Sequence, residues 1–325
     1  MARTICVTGG AGFIGSHLVD RLLGRGERVV VVDDFDDFYD PAEKRARLAG
    51  HAGHPALAVV EADIRDAAAM EAVFARHRPE IVVHLAARAG VRPSLADPAL
   101  YTDVNVTGTA VLLEAARTHG VRRFVFGSSS SVYGIATKVP FAEDAPLVHP
   151  ASPYAASKIA GEALVRTFAH LYGMEAICLR FFTVYGPRQR PDLAIRKFAE
   201  RILRDEPIEL YGDGSSSRDY TYVDDIVDGV EAALDVPLGR VEIVNLGGAH
   251  PVRLSELVER IEAVLGRKAR IVRRADQPGD VPRTFADVSR AAALLGYRPR
   301  VELDTGLARF AAWLTARAGH ETKPR

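Results

Sequence analysis

Short, continuously apolar runs alternate with helical stretches through the first half of the 325-residue chain, and this alternation limits the fold more than any other feature. Thr4 to Thr8, Arg28 to Val32, Leu57 to Val60, Ile81 to Leu85 and Arg123 to Phe126 read as strands. Their Val and Ile residues run on rather than alternate, as in strands buried on both faces. Between them, Gly12 to Leu23, Ala67 to His77 and Val104 to His119 read as helices, the first with Ile14, Leu18 and Leu22 on one face. Strand and helix repeated in this order predict an α/β fold with a doubly wound parallel sheet. Ser152 to Tyr172 reads as a long helix that Ser152 can cap and Pro153 can open. Glu175 to Arg180 reads as a further strand.

Beyond about residue 185, Pro and Gly become frequent. Short strands (Ile208 to Tyr211, Glu242 to Leu246) alternate there with helices (Asp225 to Leu234, Leu254 to Leu265). The pattern predicts a first domain over 1–185 and a smaller mixed α/β C-terminal lobe over 186–325, with later segments returning to the first domain. The polar tail from Ala318 to Arg325 is expected to fray.

Lys plus Arg and Asp plus Glu balance at 42 each, which argues against a nucleic-acid partner. No apolar run approaches the ~20 residues of a membrane span. Met1-Ala2-Arg3-Thr4 leads straight into a strand, without the charged-then-apolar signal of secretion. A cytoplasmic protein is expected. Cys6 and Cys178 both fall in apolar runs and read as buried thiols. No metal-ligand spacing is present, so no metal is expected.

Two motifs carry chemistry. Thr8-Gly9-Gly10-Ala11-Gly12-Phe13-Ile14-Gly15 follows a strand and opens a helix, the context of a dinucleotide-binding turn. Its glycines allow a tight turn, and the helix N-terminus offers N–H groups to a pyrophosphate. The first domain is therefore a Rossmann-type domain. The next strand ends at Asp33, where a carboxylate accepts bonds from a ribose diol and repels a 2′-phosphate. With Asp34, Asp36, Asp37 and Asp40 following, NAD is expected over NADP. Asp63 and Ile64, after the third strand, are placed near the adenine. In His84-Leu85-Ala86-Ala87 the small residues admit the cofactor, and His84 reads as a hydrogen-bonded structural histidine.

In the second motif, Tyr154-Ala155-Ala156-Ser157-Lys158, the phenol and ammonium share a helix face. Bringing a tyrosine from its ordinary pKa of about 10 to near 7 takes roughly 4 kcal/mol. Lys158 and a nicotinamide cation in a partly dry site are the expected sources. Tyr154 then acts as general base toward a sugar hydroxyl. A hydroxyl from Ser128-Ser129-Ser130-Ser131, at the end of a strand, can relay the proton.

From Thr4 to about Trp313 the chain resembles the extended short-chain dehydrogenase/reductases that act on nucleotide sugars. The resemblance implies a triad of Ser129, Tyr154 and Lys158, with Asn105 steadying the site. It implies that Phe35, Lys44 and Phe181 join Gly9, Gly12, Phe13, Ile14, Gly15, Asp33, Asp34, Asp63, Ile64, Leu85, Ala86, Ala87 and Asn105 around NAD. Within the group it is most similar to UDP-glucuronate 4-epimerases. This rests on Asp34-Phe35-Asp36-Asp37-Phe38-Tyr39-Asp40-Pro41, Lys44-Arg45-Ala46-Arg47-Leu48, His84 to Arg92, and Arg180-Phe181-Phe182-Thr183-Val184-Tyr185-Gly186-Pro187.

The sugar nucleotide is then expected to meet Arg92, Ser129, Ser130, Ser131, Thr183, Tyr211, Arg218 and Asp280, with Gln277-Pro278-Gly279-Asp280-Val281 at its nucleotide end. Arg190 would hold the C6 carboxylate. The family usually has Trp-Gly before this arginine; here Arg188-Gln189 stands there, which makes Arg188 a rival and keeps UDP-glucose 4-epimerase as the alternative. Dehydratases and decarboxylases of the group place an acid beside the catalytic hydroxyl, and here Ser130 and Ser131 follow. A non-catalytic NAD-binding protein would have lost the Tyr154/Lys158 pair. The resemblance further implies a homodimer through Val104 to His119 and Ser152 to Tyr172.

Overall fold

The structure is a computed structural model that describes residues 2–136, 138–275 and 279–321. Gln277, Pro278 and the end of the tail expected to fray lie outside the described residues. In chain order the first half consists of β1 (Thr4–Thr8), α1 (Phe13–Gly24), β2 (Arg28–Asp33), α2 (Pro41–Ala49), β3 (Leu57–Glu61), α3 (Ala67–His77), β4 (Ile81–His84), α4 (Val91–Ala96), α5 (Pro98–Thr102), a π turn (Asp103–Thr107), α6 (Gly108–Thr118), β5 (Arg123–Ser129) and a 3-10 turn (Ser130–Tyr133). There follow α7 (Pro153–Tyr172), β6 (Glu175–Phe181), β7 (Thr183–Tyr185), α8 (Ala194–Leu203), β8 (Ile208–Tyr211), β9 (Ser217–Tyr222), α9 (Val223–Asp235) and β10 (Val241–Leu246). The chain continues through β11 (Pro251–Arg253), α10 (Leu254–Leu265), β12 (Ile271–Arg274), α11 (Ser289–Leu295) and α12 (Leu303–Glu321).

Seven strands form one parallel sheet in the order β10-β6-β5-β4-β1-β2-β3. Successive side chains of β1 point to opposite layers. Ile5 and Val7 join the core beneath α1 and α9, and Cys6 joins that beneath α3, α6 and α7. Both cysteines are buried, and burial pushes the Cys6 thiol up to about 12. The strand order reverses between β1 and β4, which opens a crevice at the strand C-termini. β10 comes from the second half of the chain and pairs with β6. Two small sheets, β11-β9-β7 and β12-β8, build the second lobe. No helix of the described residues is long and apolar enough to cross a membrane.

Several elements depart from expectation. β3 is an edge strand with Val59 46% exposed, so its apolar run is not buried on both faces. The stretch expected as one helix from Val104 opens with the π turn that carries Asn105. The polar helix α2 was not anticipated, although Asp40 caps it through the Ala42 N–H (2.9 Å) and Pro41 opens it. The long helix α7 starts as expected: Ser152 accepts the Ala155 N–H at 3.1 Å, and Pro153 occupies the first turn.

Candidate active site

β1, β2, β4, β5 and β6 end at one cleft of about 500 Å³. Gly9 leaves β1 with φ +69° and donates its N–H to the Val32 carbonyl at 2.8 Å. A Cβ on Gly9 would stand 2.7 Å from the Ala86 nitrogen, and one on Gly15 2.2 Å from the Gly9 carbonyl. Neither position admits a side chain, so the turn presses against the segment after β4. No side chain caps α1 at Gly12. The first-turn N–H groups of a helix lack internal acceptors and form its positive end. Phe13, Ile14 and Gly15 bring that end to the cleft wall.

Asp33 stands at the end of β2. Its carboxylate accepts the Ala11 and Phe35 N–H groups, each at 3.0 Å. Burial pushes its pKa up, and the Phe35 N–H, the Lys44 charge and the Ala11 N–H oppose the rise. Asp34, Lys44, Ile64, Leu85, Ala86, Ala87 and Phe181 also line the cleft. Phe35 does not: it turns away beneath the Arg45 guanidinium, 4.2 Å from the ring centre. Asp63 is likewise off the wall, because Arg65, two residues on, grips its carboxylate at 2.6 Å. Ala62 and Arg65 line the cleft instead.

Asn105 acts one layer back. Its amide accepts the Arg88 N–H (2.7 Å) and donates to the Arg88 carbonyl and the Ser157 hydroxyl, both at 2.9 Å. It thus fastens the loop after β4 to α7. His84 bonds Thr8 Oγ1 at 2.7 Å and Thr109 Oγ1 at 3.0 Å. Burial and then the Lys158 charge push it down to about 3, so it is a neutral structural histidine.

β5 and α7 bring Ser129, Tyr154 and Lys158 to the cleft floor. The Lys158 ammonium donates to the Gly127 carbonyl at 2.6 Å and sits 5.0 Å over the Phe126 ring. Burial lowers it to about 8, with Glu162 opposing. Desolvation raises the Tyr154 phenol, while a hydrogen bond with Ser129 and the charge of Arg190 pull it down. The Lys158 ammonium is engaged with Gly127, and the groups that pull the phenol down here are Ser129 and Arg190. Ser130, Ser131 and Thr183 complete this end of the cleft.

The two rival arginines part company. Arg188 has φ +64° and turns out to Asp20 of α1, 2.8 Å away. Arg190 lines the cleft, with Nε and Nη2 on Asp192 at 2.9 and 2.7 Å. Phe38 lies between Arg190 and Arg88, each 5.6 Å from its ring centre, and Arg88 pairs with Asp36. Sequence reasoning gave Arg88 and Phe38 no role. The signal lay in the stretches at the ends of β2 and β4 that it had already marked. At the far end, Arg218 and Asp280 line the wall. Arg92 and Tyr211 stand behind it: Arg92 pairs with Asp280 at 2.7 Å and covers the Tyr211 ring at 4.4 Å. Burial depresses the Arg218 pKa.

Residues 5–247 match the model of the NAD dependent epimerase/dehydratase family. A UDP-glucuronate 4-epimerase from Thermodesulfobacterium geofontis is 42% identical over 94% of each chain. The crystal structure of a UDP-glucuronic acid 4-epimerase from Bacillus cereus, in complex with UDP-glucuronic acid and NAD, superposes with a TM-score of 0.91 at 34% identity. It covers 97% of this chain and 99% of that one. A Thermotoga maritima UDP-glucose 4-epimerase with UDP-glucose gives a TM-score of 0.89 at 36% identity, over 97% and 99%. By its sequence and its fold alike, this chain belongs to the NAD dependent epimerase/dehydratase family.

Proposed function

We propose that the protein inverts C4 of UDP-glucuronate to give UDP-galacturonate through a transient 4-keto sugar, with NAD as resident cofactor. The residues present suit a dinucleotide: a turn with no space for side chains, an uncapped helix end for the pyrophosphate, and the Asp33 carboxylate for a ribose diol. When bound, NAD supplies a hydride acceptor that later returns the hydride. Tyr154 takes the O4 proton with Ser129 as hydrogen-bond partner, and Lys158 secures the nicotinamide ribose. The keto sugar swings about its link to the diphosphate and presents its other face. Arg218 holds the diphosphate and Arg190 the C6 carboxylate.

The observation that carries this reading is the placement of Arg190 on the cleft wall, near enough for its charge to act on Tyr154. A guanidinium grips a carboxylate through two parallel bonds. That hold also discourages loss of CO₂ from the β-keto acid. We further assign 1–185 to NAD and 186–325 mainly to the sugar nucleotide, and take the protein to be a cytoplasmic homodimer. Separate incubations with UDP-glucuronate and UDP-glucose, followed by identification of the sugars, test the reaction. UDP-galacturonate is the expected product. UDP-galactose formed at the higher kcat/KM selects the UDP-glucose reading, and a pentose nucleotide refutes carboxylate retention.

A further inference from the structure

The reaction above leaves one buried ion pair without a task. Glu162 lies one turn beyond Lys158 on α7, so Tyr154, Lys158 and Glu162 share a helix face. Glu162 is 3% exposed, and Arg180 of β6 is 1% exposed. Arg180 forks onto the carboxylate, with Nε to Oε1 at 2.9 Å and Nη2 to Oε2 at 2.8 Å. Oε1 also accepts the Ser128 hydroxyl at 2.6 Å. Ser128 sits between Gly127, whose carbonyl takes the Lys158 ammonium, and Ser129, whose hydroxyl meets Tyr154. The carboxylate therefore grips the middle of the three-residue strand end that engages both helix side chains.

Stability is a weak reason for such a pair, because desolvation offsets most of the attraction between buried ions. Its place argues for geometry and charge instead. Lys158 faces Glu162 on its own helix, the thiol of Cys178 from β6 and His84 from β4, while Arg180 of β6 reaches it only through Glu162. The Gly127 carbonyl and Phe126 ring close the shell from β5. His84 is neutral there and burial keeps the Cys178 thiol protonated, which leaves Glu162 as the anion in this shell.

We propose that Glu162 is a positioning residue for the reaction: it grips Ser128 to hold the strand end in register with α7, and it faces Lys158 so that the ammonium stays charged in a dry site. The catalytic part of this assignment rests on the reaction proposed above.

The test is an NMR titration of the Lys158 side chain in NAD-loaded protein carrying ¹³C-labelled lysine, with Lys158→Met to assign the signal. In Glu162→Gln the midpoint should fall by about one unit, a tenfold change in the proton equilibrium. Arg180→Met, which breaks the same pair but leaves the carboxylate, should not lower it. An unmoved midpoint in Glu162→Gln, or equal falls in both variants, overturns the assignment. Turnover of UDP-glucuronate is read alongside: the alkaline limb of kcat should follow the midpoint in Glu162→Gln, with KM within about twofold. Should the buried guanidinium prevent Glu162→Gln from folding, Ser128→Ala retains both charges. It should lower kcat about tenfold at unchanged KM, with a lower thermal midpoint from the lost buried bond but the protein still folded at the assay temperature, and an unchanged kcat overturns the proposal. Wild-type protein that shows the titration but turns over neither sugar nucleotide refutes the reaction and leaves the electrostatic assignment standing.

Discussion

Replacing Arg190 with Met separates two effects proposed for one guanidinium. The first is recognition. A hydrogen bond to a charged group contributes about 1.5–3 kcal/mol. Arg190 already spends two such bonds on Asp192, at 2.9 and 2.7 Å, so a sugar carboxylate gains only what exceeds them. One bond's worth is the reasonable net loss, which at 1.4 kcal/mol per tenfold raises KM for UDP-glucuronate about 10- to 150-fold. UDP-glucose has no carboxylate, and its KM should move little. The second effect is electrostatic. The Arg190 charge is one of the influences that lower the Tyr154 phenol. Without it the phenol pKa rises, and the acid-side limb of kcat moves to higher pH with either sugar. Steady-state assays with both nucleotides across the pH range measure the two effects together. Equal rises in KM for the two sugars refute the carboxylate contact, and an unmoved acid limb refutes the coupling to Tyr154.

Three further substitutions test other parts of the account. Asp33→Asn removes the charge that opposes a 2′-phosphate and should narrow the preference for NAD over NADP about tenfold or more, read by titrating stripped protein with each dinucleotide; an unchanged ratio contradicts the role given to Asp33. His84 is neutral when folded, with a pKa of about 3 against an unfolded value near 6.5, so its stabilising contribution is intact above pH 6.5 and is lost as pH falls toward 3. Urea unfolding at pH 7 and pH 5 should show roughly 2 kcal/mol more loss in wild type than in His84→Gln, and equal losses contradict the assignment. Ser152→Ala deletes the bond to the Ala155 N–H and should cost about 1 kcal/mol, seen as a lower urea midpoint at constant m-value.

What could be read from the letters follows physical lines. Continuous Val and Ile runs mark buried parallel strands, and β1, α3, β8 and α10 fall where the pattern puts them. Edge position leaves no such trace: β3 has the apolar run of a central strand but lies at the sheet margin. α2 escaped notice because its surface is polar, although Asp40-Pro41 is a recognisable start. At the candidate site, residues held by backbone geometry were legible, as with Gly9, Gly15 and the Tyr154/Lys158 spacing. Side-chain direction was not. Arg188 and Arg190 are two letters apart, and the left-handed backbone at Arg188 aims one at Asp20 and leaves the other in the cleft. Asp63 was placed near the adenine on spacing alone, which could not show that Arg65 folds back onto it. Lys158 was paired with the phenol by helix periodicity, while its ammonium reaches across to a carbonyl of β5, a contact that exists only once the sheet has formed.

The central claim is that the C4 hydrogen of the sugar leaves and returns as a hydride within this cleft, while Tyr154 handles only the O4 proton. Turnover of UDP-glucuronate deuterated at C4, in ordinary water, tests it most directly. Product that retains its deuterium at C4 is the predicted result; deuterium washed out into solvent at the rate of inversion would mean that C4 is deprotonated, and the account would fail.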